Sequence, residues 1–268
     1  MSSHTLSQIF IYPVKSLPGI SMETSKVEER GLKYDRRWML VNKENKFITQ
    51  RFYPNMVFID VKIDSENLSF AHKSKSIPKL KVSLNRPPQL TGNVQIWDDY
   101  CQAMIYSKEI NDWFSEAIDA ECKLVYMPEV TQRKTSTEYF KKSKDVSFAD
   151  GYPYLIIGEK ALEYLNSKLD KPVKMIQFRP NLVFSGGKEH EEDEWKEVKI
   201  GGINFAVVKP CARCVITTID TEKGNKNKEP LSTLSRYRNY NNKILFGQNA
   251  IALSTGMLNL GDKISIVK

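Results

Sequence analysis

Two cysteines with two residues between them open a branched run in Lys209-Pro210-Cys211-Ala212-Arg213-Cys214-Val215-Ile216-Thr217-Thr218-Ile219-Asp220, and this stretch constrains the chain more than any other. The thiolate is the form of cysteine that binds metal or attacks electrophiles, and the neighbouring guanidinium of Arg213 favours it. Val215 to Ile219 is short, β-branched and bounded by polar residues, which predicts a buried strand. A sulfur at the mouth of a rigid element is well placed for a site. Other readings compete. Buried cysteine is commonly inert packing, and Cys-x-x-Cys also fits half a zinc site or a redox pair. Zinc needs four ligands, and there is no second Cys-x-x-Cys. Cys101 and Cys122 stand far off, and His4, His72 and His190 have no ligand spacing. A redox pair ordinarily opens a helix, whereas this one opens a strand-like run. On these residues alone a functional thiolate and a structural cysteine both remain open.

The 268 residues suffice for two modest domains or one large one. No window approaches about 18 consecutive apolar residues, so no membrane span is expected. Met1 to Phe10 has neither a basic start nor an apolar core, so no signal peptide is expected. Four cysteines in this length do not make a disulfide framework, and a reducing cytoplasm is the simpler expectation. The net charge of +8 favours acidic partners. The lysines are spread rather than massed, which argues against a nucleic-acid binder and fits an anionic cofactor or an acidic redox protein better.

Along the chain, Gln8 to Tyr12 predicts a strand closed by Pro13. Tyr12-Pro13-Val14-Lys15-Ser16-Leu17-Pro18-Gly19 follows as a fixed turn with Lys15 and Ser16 at its tip. It is either a solvated turn or a clamp for phosphate or carboxylate. Arg36 and Arg37 precede the strand Trp38 to Asn42 and should point to opposite faces. Strands are expected at Phe47 to Gln50, over the alternating Val57, Ile59, Val61 and Ile63, and as a pair around Asp98-Asp99. Ser107 should cap an amphipathic helix that buries Trp113 and Phe114. The polar stretch from Pro128 to Ser147 is a boundary or a mobile crossing segment. A strand from Tyr154 to Ile157 and a helix from Glu159 to Leu169 come next. Gln177-Phe178-Arg179-Pro180-Asn181 is a fixed turn that can present an arginine and an asparagine to one ligand. Glu189 to Glu194, with His190, reads as a solvated loop. Gly201-Gly202 marks a hairpin, and Asp262 to Val267 a last strand.

The order Tyr-Pro-Val-Lys-Ser, Gly-Leu-x-x-Asp-Arg-x-Trp, Phe-Arg-Pro-Asn and Cys-x-Arg-Cys-x-x-Thr-Thr-x-Asp resembles the MOSC proteins, the molybdenum cofactor sulfurase C-terminal domain family, in the branch with an N-terminal β-barrel domain. Within it the chain is most similar to the amidoxime-reducing components and their bacterial counterparts. The resemblance implies a mainly β, α+β architecture: an N-terminal β-barrel-like domain over residues 1–128 and a MOSC β-barrel domain over 129–268, with a few packed helices. It implies a molybdenum cofactor, molybdenum on molybdopterin, held between the two parts. It makes Cys214 the protein ligand to molybdenum, with Cys211 in support. It places Lys15, Ser16, Arg36, Arg179, Asn181 and Arg213 around the pterin and its phosphate, and Asp150 near the metal as a proton donor. Gly151-Tyr152 stands where some relatives have Thr-Ser, so their hydroxyl contacts to the cofactor do not carry over to these positions. The implied reaction is reduction of N-hydroxylated compounds: hydroxylamines, N-hydroxylated bases or amidoximes. No cysteine follows Cys214, so an internal iron–sulfur relay is not expected, and electrons should come from a separate cytochrome, ferredoxin or flavoprotein. The alternative is a non-redox sulfur carrier or cofactor-binding module with a persulfide on Cys214.

Overall fold

The structure is a computed structural model that describes residues 4–268. Strands dominate, and the α-helices among the described residues are Lys108–Ile118, Glu159–Asn166 and Leu231–Ser235. No helix among the described residues is long and apolar enough to cross a membrane.

Seven strands close into a barrel. Their order around it is Tyr154–Gly158, Leu182–Ser185, His4–Ile11, Lys263–Ile266, Glu197–Ile200, Ile203–Ala212 and Lys243–Ala252, and the last pairs back to the first. Closure leaves no open edge between the first and last strands. Tyr154–Gly158 and Leu182–Ser185 run parallel, and the helix Glu159–Asn166 lies in the crossover that parallel neighbours require. Alternate residues fill the interior, among them Ile9, Ile156, Phe184, Val198, Ile200, Ile203 and Phe205. The expected Gly201-Gly202 hairpin forms, with both glycines at positive φ (53° and 91°). The first strand of the chain sits inside this barrel, between two strands from its C-terminal half.

The N-terminal half carries an antiparallel sheet ordered Trp38–Val41, Lys123–Tyr126, Asp99–Ile105 and Leu90–Ile96. Beside it Ile59–Ile63, Asn67–His72 and Leu80–Ser83 form a three-stranded sheet. Helix Lys108–Ile118 buries Trp113, Phe114, Ala117 and Ile118, the face its spacing predicts. The rings of Phe114 and Phe70 meet edge to face at 4.9 Å between centroids. Ser107 precedes this helix in extended conformation, but its hydroxyl makes no capping bond.

Five local expectations change. Val215 to Ile219 is not a strand: Val215–Thr218 is a 3₁₀ turn with Cys214 at its start. The hydroxyls of Thr217 and Thr218 donate back to the carbonyls of Cys214 (3.0 Å) and Val215 (2.8 Å), a local bond that competes with sheet pairing. The strand of this region comes earlier, over Ile203–Ala212, and contains Cys211. Phe47 to Gln50 contributes an isolated bridge to Val41 instead of a strand. The second helix stops at Asn166, whose side chain bonds both the N–H and the C=O of Val173. Glu189 to Glu194 is not a solvated loop, because Glu192 is fully buried and its Oε1 accepts from the Gly158 N–H at 3.3 Å. Finally, the segment from Pro128 to Ser147 is pinned. Arg133 is buried within it and donates to the carbonyls of Ser147, Ala149 and Asp150 and to the carboxylate of Asp99.

Candidate functional site

A cleft between the barrel end and the N-terminal sheet gathers residues from most of the chain's length. Lys15, Ser16, Arg36, Asp150, Arg179, Asn181, Arg213 and Cys214 all line it, and so do Phe47, Thr49, Arg51 and Trp97. The eight residues singled out in the sequence therefore meet in one place, although positions 15 and 214 belong to opposite ends of the chain.

The floor is built on Tyr12, at the end of the first barrel strand. Its ring is fully buried. The guanidinium carbons of Arg36 and Arg179 lie 4.4 Å and 4.2 Å from its centroid. Such contacts hold a cation by the ring's quadrupole. Gly19 crosses the ring edge, where a Cβ would stand 2.4 Å from Cε1 of Tyr12. Arg36 and Arg179 both adopt positive φ (49° and 55°), Arg36 in the turn before the strand Trp38–Val41 and Arg179 at the end of the 3₁₀ turn Met175–Phe178. Burial and the charge of Arg36 pull the pKa of Arg179 down to about 10, so it stays charged at neutral pH. Arg36 Nη1 donates to Asp35 Oδ2 at 2.6 Å and to Asn181 Oδ1 at 2.9 Å. Arg37 leaves in the other direction, is buried, and donates to the Met127 carbonyl.

Asn181 is a positioning residue in this arrangement. Its Oδ1 also accepts from the Leu155 N–H (3.3 Å), and its Nδ2 donates to the Phe10 carbonyl (3.2 Å). The side chain is 1% exposed and its acceptor is spent within the protein. It holds Arg36 at the cleft.

Lys15 is buried, and its Nζ donates to the Phe148 carbonyl (2.8 Å) and to Asp150 Oδ1 (2.5 Å). Burial pulls the lysine pKa down, and Asp150 opposes that pull. Desolvation pushes the Asp150 carboxyl up, but the Lys15 ammonium, the Trp97 indole N–H and Arg51 outweigh it and hold the group well below the usual carboxylate range. The carboxyl is the ion-pair partner of Lys15. Ser16 lines the cleft at φ 67°, buried beside Lys15.

The two sulfurs have different partners. Arg213, the arginine of the Cys-x-x-Cys motif, donates from Nη1 to Cys211 Sγ at 2.9 Å and from Nη2 to the Phe178 carbonyl at 2.6 Å. The donor to Cys214 Sγ is Arg51 Nη2, at 3.4 Å. Arg51 stacks on Trp97, 4.5 Å from the ring centroid, and Trp97 donates its indole N–H to Asp150 Oδ1 at 3.1 Å. Neither Arg51 nor Trp97 is singled out by the sequence. Each stands alone on a loop of the N-terminal half, outside any motif.

The chemistry of this set is that of an anion site with a soft ligand. Lys15, Arg36, Arg51, Arg179 and Arg213 line it against one carboxylate, Asp150. The Nε–H groups of Arg51 and Arg213 are buried without a partner. Among the described residues no three His, Cys, Asp or Glu side chains gather to hold a metal ion. A metal on Cys214 would therefore need its other ligands from an organic anion, and the guanidinium cluster suits one. The residues present fit molybdopterin in this respect. At Gly151 a Cβ would meet nothing within 4 Å, so the missing side chain leaves open space.

Residues 3–121 match the model described as the MOSC N-terminal beta barrel domain, and residues 143–265 match the MOSC domain. The chain is 30% identical to mitochondrial amidoxime-reducing component 1 of Mus musculus over 98% of its own length and 82% of the relative's. It is 29% identical to the Homo sapiens protein of the same name over 98% and 83%. It is 33% identical to the molybdenum cofactor sulfurase of Oryza sativa subsp. japonica over 90% of its own length but only 32% of that longer protein. Motifs, cleft and whole-length similarity agree: the chain belongs to the MOSC family, in the branch with an N-terminal MOSC β-barrel domain.

Proposed function

We propose that this chain binds the molybdenum cofactor and reduces N-hydroxylated compounds with electrons from a separate redox protein. The observation that carries the reading is the meeting, in one cleft, of the Cys214 sulfur with five cationic side chains drawn from both halves of the chain. When bound, the cofactor supplies the two-electron redox chemistry that the side chains lack. Overall, R–NHOH takes two electrons and two protons and yields R–NH₂ and water.

The chain's own part is ligation, orientation and charge. Cys214 is the thiolate ligand. Arg36, Arg179 and Arg213 grip the anionic organic half, with Lys15 and Ser16 beside them. Asn181 orients Arg36, and Asp150 orients Lys15. Phe47 and Trp97, 4.8 Å apart between ring centroids, wall one side of the cleft. The net positive charge favours encounter with an acidic electron donor.

The test is an assay on protein made in cells that synthesise the cofactor, with reduced viologen as donor and a hydroxylaminopurine as substrate. The wild type should form the amine, and Cys214→Ala should not. Equal rates would refute the role given to Cys214. The match to the sulfurase favours one second reading, a persulfide carried on Cys214. Purified protein with cyanolysable sulfur and no molybdenum would favour it.

A further inference from the structure

The cysteine motif contains its own arginine, yet that arginine serves the other sulfur. Arg213 donates to Cys211 Sγ and the Phe178 carbonyl. The N–H donor to Cys214 Sγ arrives from 163 residues earlier, on the opposite half of the chain.

Arg51 is held there from several sides. Its N–H donates to Thr49 Oγ1 at 3.0 Å, and its carbonyl accepts from Lys226 Nζ at 2.7 Å. Its guanidinium lies on Trp97. That ring is fixed in turn by Phe47 at 4.8 Å and by the indole bond to Asp150, which Lys15 anchors. A flexible side chain restrained at its backbone, at its planar face and at its tip is preorganised and is not a stray surface contact.

We infer that Arg51 tunes the metal centre: by donating to the Cys214 sulfur it draws electron density from the ligand and raises the reduction potential of the molybdenum that the sulfur binds. This rests on the reading of the cleft as a molybdenum-cofactor site. Hydrogen bonds to a coordinating sulfur are a recognised control on potential, and so are charges in the layer behind the ligands. Both effects of Arg51 act in one direction. The N–H bond makes the thiolate a weaker donor, and the positive charge favours the more electron-rich, reduced metal. Arg51 is thus a positioning and tuning residue, separate from the cations that grip the organic anion.

The experiment compares wild type with Arg51→Met, which keeps an apolar stem for Trp97 but removes donor and charge. Molybdenum per chain is measured first, and then the midpoint potential of the Mo(V) signal is found by EPR-monitored redox titration. The inference expects unchanged molybdenum content and a lower midpoint. At a fixed potential the reduced-to-oxidised ratio should fall about tenfold, equivalent to about 59 mV for one electron. Arg51→Gln, a neutral donor, should shift in the same direction by less, and it carries the test if the Met variant does not fold. An unchanged midpoint in metal-loaded variants overturns the inference and leaves the proposed function standing. Loss of molybdenum from both variants also overturns it, because Arg51 would then be a holding residue. Wild type without molybdenum refutes the proposed function itself, and the inference falls with it.

Discussion

Asn181 Oδ1 accepts a hydrogen bond from Arg36 Nη1 at 2.9 Å, and the same side chain is bonded to the backbone of two barrel strands. One buried amide therefore couples barrel geometry to the aim of a cleft cation. Asn181→Leu should cost about 1–3 kcal/mol, since it leaves the Phe10 carbonyl and the Leu155 N–H short of a buried partner. Urea unfolding measures that cost. The freed Arg36 should also lower molybdenum retention, and an unchanged metal content would show that its aim does not matter.

Asp150 separates two mechanisms. A true general acid contributes about 100- to 10,000-fold to a rate. The carboxylate described here is an ion-pair partner of Lys15. Asp150→Asn should therefore reduce turnover by less than about tenfold and leave the shape of the pH–rate profile intact. Because its folded pKa is depressed, the stability it adds is present above the unfolded carboxylate value and is lost only as pH falls through the lower folded one. Between about pH 5 and pH 8 it should add no pH dependence to stability.

Glu192 behaves in the opposite sense. Burial raises its pKa from 4.5 to about 7, Asp193 pushes the same way and Arg238 opposes. A raised folded pKa means the native state holds the proton more tightly than the unfolded chain. The stabilisation is complete below about pH 4.5 and is lost as pH rises through about 7. The loss amounts to about 3 kcal/mol by pH 8. Glu192→Gln should remove this slope, so its unfolding free energy should vary less than that of wild type between about pH 5 and pH 8. Parallel curves would contradict the assignment.

How far the sequence could be read depends on the range of each interaction. Helix Lys108–Ile118 was readable because Trp113, Phe114, Ala117 and Ile118 carry its period locally. Barrel closure was readable only through the family resemblance, because pairing Tyr154–Gly158 with Lys243–Ala252 joins segments with no local sequence signal for each other. The cleft cations were readable only through short motifs around Lys15, Arg36, Arg179 and Arg213. Arg51 and Trp97 have no such motif, and only the folded chain brings them to Cys214 and Asp150. The branched run after Cys214 misled because threonine hydroxyls can bond their own backbone as readily as branched carbons favour a sheet.

In the proposed site the sulfur of Cys214 binds the metal. X-ray absorption at the molybdenum edge tests it most directly, by counting sulfur neighbours in wild type and in Cys214→Ser. One fewer sulfur is expected around the metal that remains in the variant. An unchanged sulfur count at comparable molybdenum content would contradict it.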